Sequence, residues 1–175
     1  MASRLFPISV LAALTGACSF SAEADIPDVE ITQNAVKMPG VSAKATGDIS
    51  VSSRFSFTSS NSAWAKRLNS EVFVHRVTVA AGGGLSSLDF VAFARLTMAD
   101  SASEGEPTEI INYDRCDQAP SSSVVDVSPQ APVDITQIWS AAQTVVELQM
   151  AGHLPEQDWT VSVTLKLAGK ITYKF

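Results

Sequence analysis

Towards the carboxyl end, Trp159, Val161, Val163, Leu165, Leu167, Ile171, Tyr173 and Phe175 all fall on odd positions, with Thr, Ser and Lys at most of the even ones. A period of two marks a strand with one face on a core and one in water. Read as one strand, residues 159–175 would run about 56 Å, far beyond the usual five or six residues. The pattern therefore predicts a three-residue hairpin at Leu167-Ala168-Gly169, pairing Leu165 with Ile171 and Val163 with Tyr173, with Gly169 at the left-handed bulge position. A long bent strand is the alternative.

The same alternation recurs upstream. In DISVSSRFSFT, Ile49, Val51, Phe55 and Phe57 share a parity with Ser53 and predict a half-buried strand. EVFVHRVTVAA is rich in β-branched residues and stops at Gly82-Gly83-Gly84, read as a turn because no Lys-Ser or Lys-Thr follows to make a phosphate loop. DFVAFARLTMA, Asp89 to Ala99, fits a strand or a short buried helix, and TEIINYD a short strand. TVVELQMAG puts Val146, Leu148 and Met150 on one face. Two places break the alternation: Ala63 to Leu68, a short helix capped by Asn61 or Ser62 with Trp64 and Leu68 inward, and DITQIWSA, one helical turn with Asp134 as its cap. DSASEGEPTE and the Pro/Ser-rich stretch around Val124 to Val127 read as loops. Seven to nine strands with two minor helical pieces give an all-β fold, a mainly antiparallel β-sandwich, Ig-like in general architecture.

The first residues follow a different rule. Arg4, the apolar run Leu5 to Leu14 and the small residues Thr15, Gly16 and Ala17 have the layout of a secretory signal peptide, too short for the roughly 20 apolar residues of a membrane span. Leu14-Thr15-Gly16-Ala17-Cys18 resembles the lipobox of bacterial lipoproteins, although Thr15 stands where leucine is usual. The resemblance implies cleavage before Cys18 and a lipid anchor of three acyl chains, palmitate among them, on Cys18. Ser19, rather than aspartate, after the cysteine implies the outer membrane by the sorting rule of enteric bacteria. Ordinary cleavage after Ala24 or Ala17, giving a secreted or periplasmic soluble protein, is the rival reading. The expected organisation is a signal peptide over 1–17, lipidated Cys18 with a polar tether over 18–28, and a single β-sandwich domain over 29–175. VEITQNAVKMPGV and LPEQDWTVSVTLKLAGKITYKF are similar to segments of small exported myxobacterial lipoproteins of unknown function, which implies one compact domain and assigns no activity.

Charge and chemistry narrow the function. Residues 1–17 carry one charge, Arg4, so the remaining 158 hold 11 basic against 18 acidic residues and a net −7. That argues against nucleic acid and against electrostatic adhesion to anionic lipid. With Cys18 committed to the anchor, Cys116 stands alone, either a small packed side chain or a thiol that pairs or reacts. His75 and His153 have no metal-ligand spacing and no zinc or other cofactor is expected. No G-x-S-x-G occurs, and Asp114, Asp117, Glu147 and Asp158 carry no pattern that would single out an acid/base pair. The reading is a non-enzymatic envelope protein of binding, structural or accessory role, held to the membrane through Cys18 and meeting an envelope protein or polysaccharide. The alternative is a sugar-binding or hydrolytic accessory protein. Trp139 beside a loop, and Glu104, Glu106 and Glu109 around the charged loop, are the candidate binding residues.

Overall fold

The computed structural model describes residues 21–42, 47, 49–57, 69–102, 105–117, 123–141 and 144–174. Nine strands occur in these segments: β1 (Ser21–Met38), β2 (Ile49–Phe55), β3 (Asn69–Gly82), β4 (Val91–Asp100), β5 (Thr108–Asp114), β6 (Val124–Val127), β7 (Val133–Asp134), β8 (Thr144–Gly152) and β9 (Trp159–Lys174). One short helix, α1 (Thr136–Ser140), lies between β7 and β8. The strands form two sheets. One has the order β1-β9-β3-β6, with β7 also on β3, and the other the order β2-β8-β4-β5.

The pairing follows a single rule. β1 lies on β9, β2 on β8, β3 on β6 and β4 on β5, all antiparallel. The first half of the chain is therefore zipped to the second half as one long ribbon whose tip is the β4–β5 connection, and the ribbon is rolled so that successive pairs fall in alternate sheets. This is the strand order of a jelly roll. The expected all-β antiparallel sandwich is the observed architecture; within it the order differs from the ABED/CFG arrangement of immunoglobulin domains.

The inner faces follow parity. Trp159, Val161, Val163, Leu165 and Leu167 of β9 face Val146, Leu148 and Met150 of β8 and Ala94, Leu96 and Met98 of β4 across one continuous core, all buried. At about 1.5–3 kcal/mol for each large apolar side chain removed from water, this layer is the main source of stability. α1 closes one end. Ile135 N donates to Val72 O (2.9 Å) and Val72 N to Thr136 Oγ1 (2.9 Å), which sets Ile135 and Trp139 against the core.

Four sequence expectations change. The hairpin at Leu167-Ala168-Gly169 does not form: β9 runs straight through, Gly169 pairing with Ile26 on one side and Val72 on the other. Long strands on both sides satisfy the backbone along its whole length, which removes any need to turn. Residues 21–28, read as part of a tether, have their backbone in β1, where Ser21 to Ile26 pair with Lys174 to Gly169 of β9 and a bulge follows. Val124 to Val127, read within a loop, is the strand β6. The cap of α1 is Ile135; Asp134 Oδ1 accepts from Thr136 N (2.9 Å) in a turn one residue earlier. Asp89 to Ala99, left open between strand and helix, lies mostly in β4. The short helix expected over Ala63 to Leu68 lies outside the described residues.

Candidate functional site

The outer face of the β2-β8-β4-β5 sheet is where the polar chemistry converges. Register places three rows across it. Arg54, Glu147, Thr97 and Glu109 make one, Ser52, Gln149, Arg95 and Asn112 the next, and Ser50, Ala151, Phe93 and Asp114 the third. Arg54 Nε meets Glu147 Oε2 at 2.8 Å and Arg95 Nε meets Glu109 Oε2 at 2.6 Å. Gln149 Nε2 donates to Ser50 Oγ at 2.8 Å. With Glu106 and Pro107 from the turn before β5, Arg95, Thr97, Glu147 and Gln149 line an open concavity of about 440 Å³.

A bulge builds the third row. Ala92 is the extra residue in β4, between Val91 paired with Gly152 and Phe93 paired with Ala151. Beyond it Ala94, Leu96 and Met98 point inward, so Phe93 must point outward. Phe93 is half-buried and stands outside the set of apolar residues packed on the core. The bulge is pinned on two sides. Arg115 N donates to Ala92 O (2.9 Å) and His153 N to Phe90 O (3.0 Å). Gly152, at φ +145°, lets the strand pass so close that a Cβ there would lie 2.1 Å from Phe90 O and 2.8 Å from Ala92 N.

The opposite outer face, on the β1-β9-β3-β6 sheet, is made of small hydroxyl residues and closed ion pairs. Thr32 and Thr164 hydroxyls lie 2.9 Å apart. Arg76 grips Asp126 through both Nε and Nη2, and Thr78 Oγ1 donates to the same carboxylate at 3.2 Å. The Arg76 guanidinium therefore holds the Asp126 carboxyl below the ordinary carboxylate range, against the opposing effect of burial. At the β1 and β3 bulges Asp28 meets Lys166 Nζ at 3.0 Å and His75 Nε2 at 3.3 Å, and the lysine hydrogen bond lowers its pKa as well.

The sequence candidates separate accordingly. Trp139 is buried, 3% exposed, so it offers no surface ring; its place in α1 turns it into the core beside Ile135. Glu106 and Glu109 are both exposed; Glu106 lines the concavity, and Glu109, outside its lining, is tied to Arg95. Glu104 and Cys18 lie outside the described residues. Cys116 is exposed in the turn after β5, its backbone N donating to Asp114 Oδ1 at 2.8 Å. The nearby Asp114 carboxylate pushes its thiol pKa up, which lowers the thiolate fraction. No group of three or more His, Cys, Asp or Glu side chains suited to a metal occurs among the described residues. Phe93, Arg95, Gln149 and Arg54 were missed. The available signal was the broken phase of DFVAFARLTMA, where Phe93 and Ala94 are adjacent apolar residues that cannot both face the core of one strand.

No family model matches the chain, and no curated protein matches it. Among solved structures it is similar to that of Desmodium yellow mottle tymovirus, at 13% identity and a TM-score of 0.37, over 100% of this chain and 93% of that one. It is also similar to the decameric BFDV capsid protein, at 8% identity and a TM-score of 0.39, over 85% of this chain and 99% of that one. Likeness at this level carries no argument about function.

Proposed function

We propose that this is an exported, lipid-anchored protein of the cell envelope, held in the outer membrane by acylated Cys18, that works by binding rather than catalysis. The observation that carries the binding reading is the open concavity on the β2-β8-β4-β5 sheet. Glu147, which lines it with Glu106, is committed to Arg54, and Glu109, outside that lining, is committed to the lining Arg95, an arrangement suited to presenting fixed donors and acceptors.

The anchor reading rests on Leu14 to Cys18. β1 begins three residues after Cys18, a span no longer than about 11 Å, so an acylated Cys18 would hold the sandwich at the bilayer surface. Several acyl chains, at about 0.8 kcal/mol per buried methylene, make such attachment stable. Among the described residues no helix is long and apolar enough to cross a membrane.

The test is the mass of the amino-terminal peptide from cells expressing the full chain. The expected species begins at Cys18 and carries added diacylglyceryl and acyl mass, and Cys18→Ser abolishes it. A free amino terminus at Asp25 in the wild-type protein overturns the anchor.

A further inference from the structure

Phe93 lies outside the apolar core. The β4 bulge turns a large apolar ring to the solvent side of a sheet whose inner face is already filled by Ala94, Leu96 and Met98. Its row neighbours Ala151 and Asp114 are small or polar, and Ser50 lies beyond Ala151. No second aromatic ring stands in these three rows to cover it. Next to it run two rows of planar hydrogen-bonding groups, Gln149 with Arg95 and Glu147 with Arg54, spaced about 7 Å apart along the strands.

We infer that this face binds a neutral glycan chain, with Phe93 as the stacking platform and Arg95, Gln149 and Glu147 as the hydrogen-bonding groups. The inference names the partner class for the binding reading above and rests on it. A sugar ring has an apolar C–H face bordered by hydroxyls, each of them both donor and acceptor. The site offers a ring for the face, guanidinium donors, a carboxylate acceptor and an amide that does both. Its charge is net negative, Arg54 and Arg95 against Glu106, Glu109, Asp114 and Glu147, which gives a polyanion no attraction. A protein partner would want a cluster of apolar and aromatic residues at the centre of the patch, and one ring does not make one. The concavity is open, the shape for a chain that passes through rather than a small molecule that is enclosed.

The test uses the full-length chain in detergent. It is run by affinity electrophoresis in gels cast with hydroxyethylcellulose, laminarin or heparin. Retention is expected on at least one of the neutral polysaccharides, with none on heparin. Phe93→Ala should weaken it about tenfold and Gln149→Ala several-fold, while Phe93→Trp retains it, all three variants melting within a few degrees of wild type. The inference is overturned by retention on none of these probes, by retention on heparin alone, or by binding that Phe93→Ala and Gln149→Ala leave unchanged. Glycan retention by a chain whose Cys18 proves unacylated would strike the anchor and leave this site standing; an acylated chain with no retention would do the reverse.

Discussion

The two sheets share a core and differ outside. The β1-β9-β3-β6 sheet is organised around β9, 16 residues long and paired on both sides, and its outer surface is closed by Thr32–Thr164 and by Arg76–Asp126–Thr78. The β2-β8-β4-β5 sheet has strands of 7 to 10 residues, a pinned bulge leaves it with an outward ring, and a concavity opens on the same face. Both inner faces obey the same alternation and both sheets carry bulges; the one at Ala92, with the glycine that makes room for it, is the one that sets an aromatic ring outward. In this molecule the shared pattern specifies the fold and a local departure from it adds Phe93 to the outer face.

The sharpest way to break the comparison is Gly152→Ala. The added methyl meets backbone atoms that no rotamer can move, at a φ that L-residues rarely adopt, so the variant should lose a large part of a total stability of about 5–15 kcal/mol. Gly47→Ala is the control: its φ is +96° but nothing lies within 4 Å, and it should cost only the backbone strain, about 1–3 kcal/mol. Urea denaturation of both, with glycan retention measured on whatever fraction stays folded, distinguishes a crowded bulge from backbone strain alone. Equal losses would mean that the close approach to Phe90 and Ala92 is unimportant.

Next in size are Leu165→Ala and Leu148→Ala, one in the central region of each sheet and both fully buried. Each should lower stability by about 2–5 kcal/mol in the same urea assay. A loss confined to Leu165 would show that the two sheets do not share one core.

Much of this was legible in the sequence, for a physical reason. The odd parity of Trp159 to Leu167 reports which side of β9 meets the core, and any sandwich would impose it. Gly169 misled because glycine beside alanine in an overlong strand resembles a turn; only the presence of β1 and β3 on either side makes the straight course favourable. Trp139 misled because α1, too short to show a helical period, gave no sign of which way it faced. Phe93 was hidden because a bulge adds one residue without any characteristic residue type at Ala92, and its partner glycine lies 60 positions away in sequence.

A smaller effect separates the outer faces by pH. Because Asp126 has a lowered pKa in the folded chain, its pairing contributes fully above the ordinary carboxylate value near 4 and is lost as the pH falls through the lowered native value. Asp126→Asn should therefore flatten the stability profile below about pH 4 and leave it little changed near pH 7 relative to the same variant at pH 5. Thermal melts between about pH 2 and pH 7 would check this, and an unchanged acid limb would show that other carboxylates govern it.

The smallest effect concerns Cys116. With Asp114 opposing the thiolate, alkylation by iodoacetamide at about pH 8 should be slower than for an unstructured cysteine peptide, and Asp114→Asn should speed it several-fold. Equal rates in the two chains would remove the carboxylate as the cause.

The nested ribbon also sets an order of events in time. Its tip, β4 with β5, joins partners close in sequence, whereas β1 can find β9 only after about 120 intervening residues have been brought into line. The hairpin end can therefore nucleate early, while β1 must wait, its backbone unpaired, for the strand that closes the sheet. A chain threaded across a membrane amino terminus first would expose β1 throughout that wait. Its completion is a late, slow step during which an escort that shields extended chain would matter most.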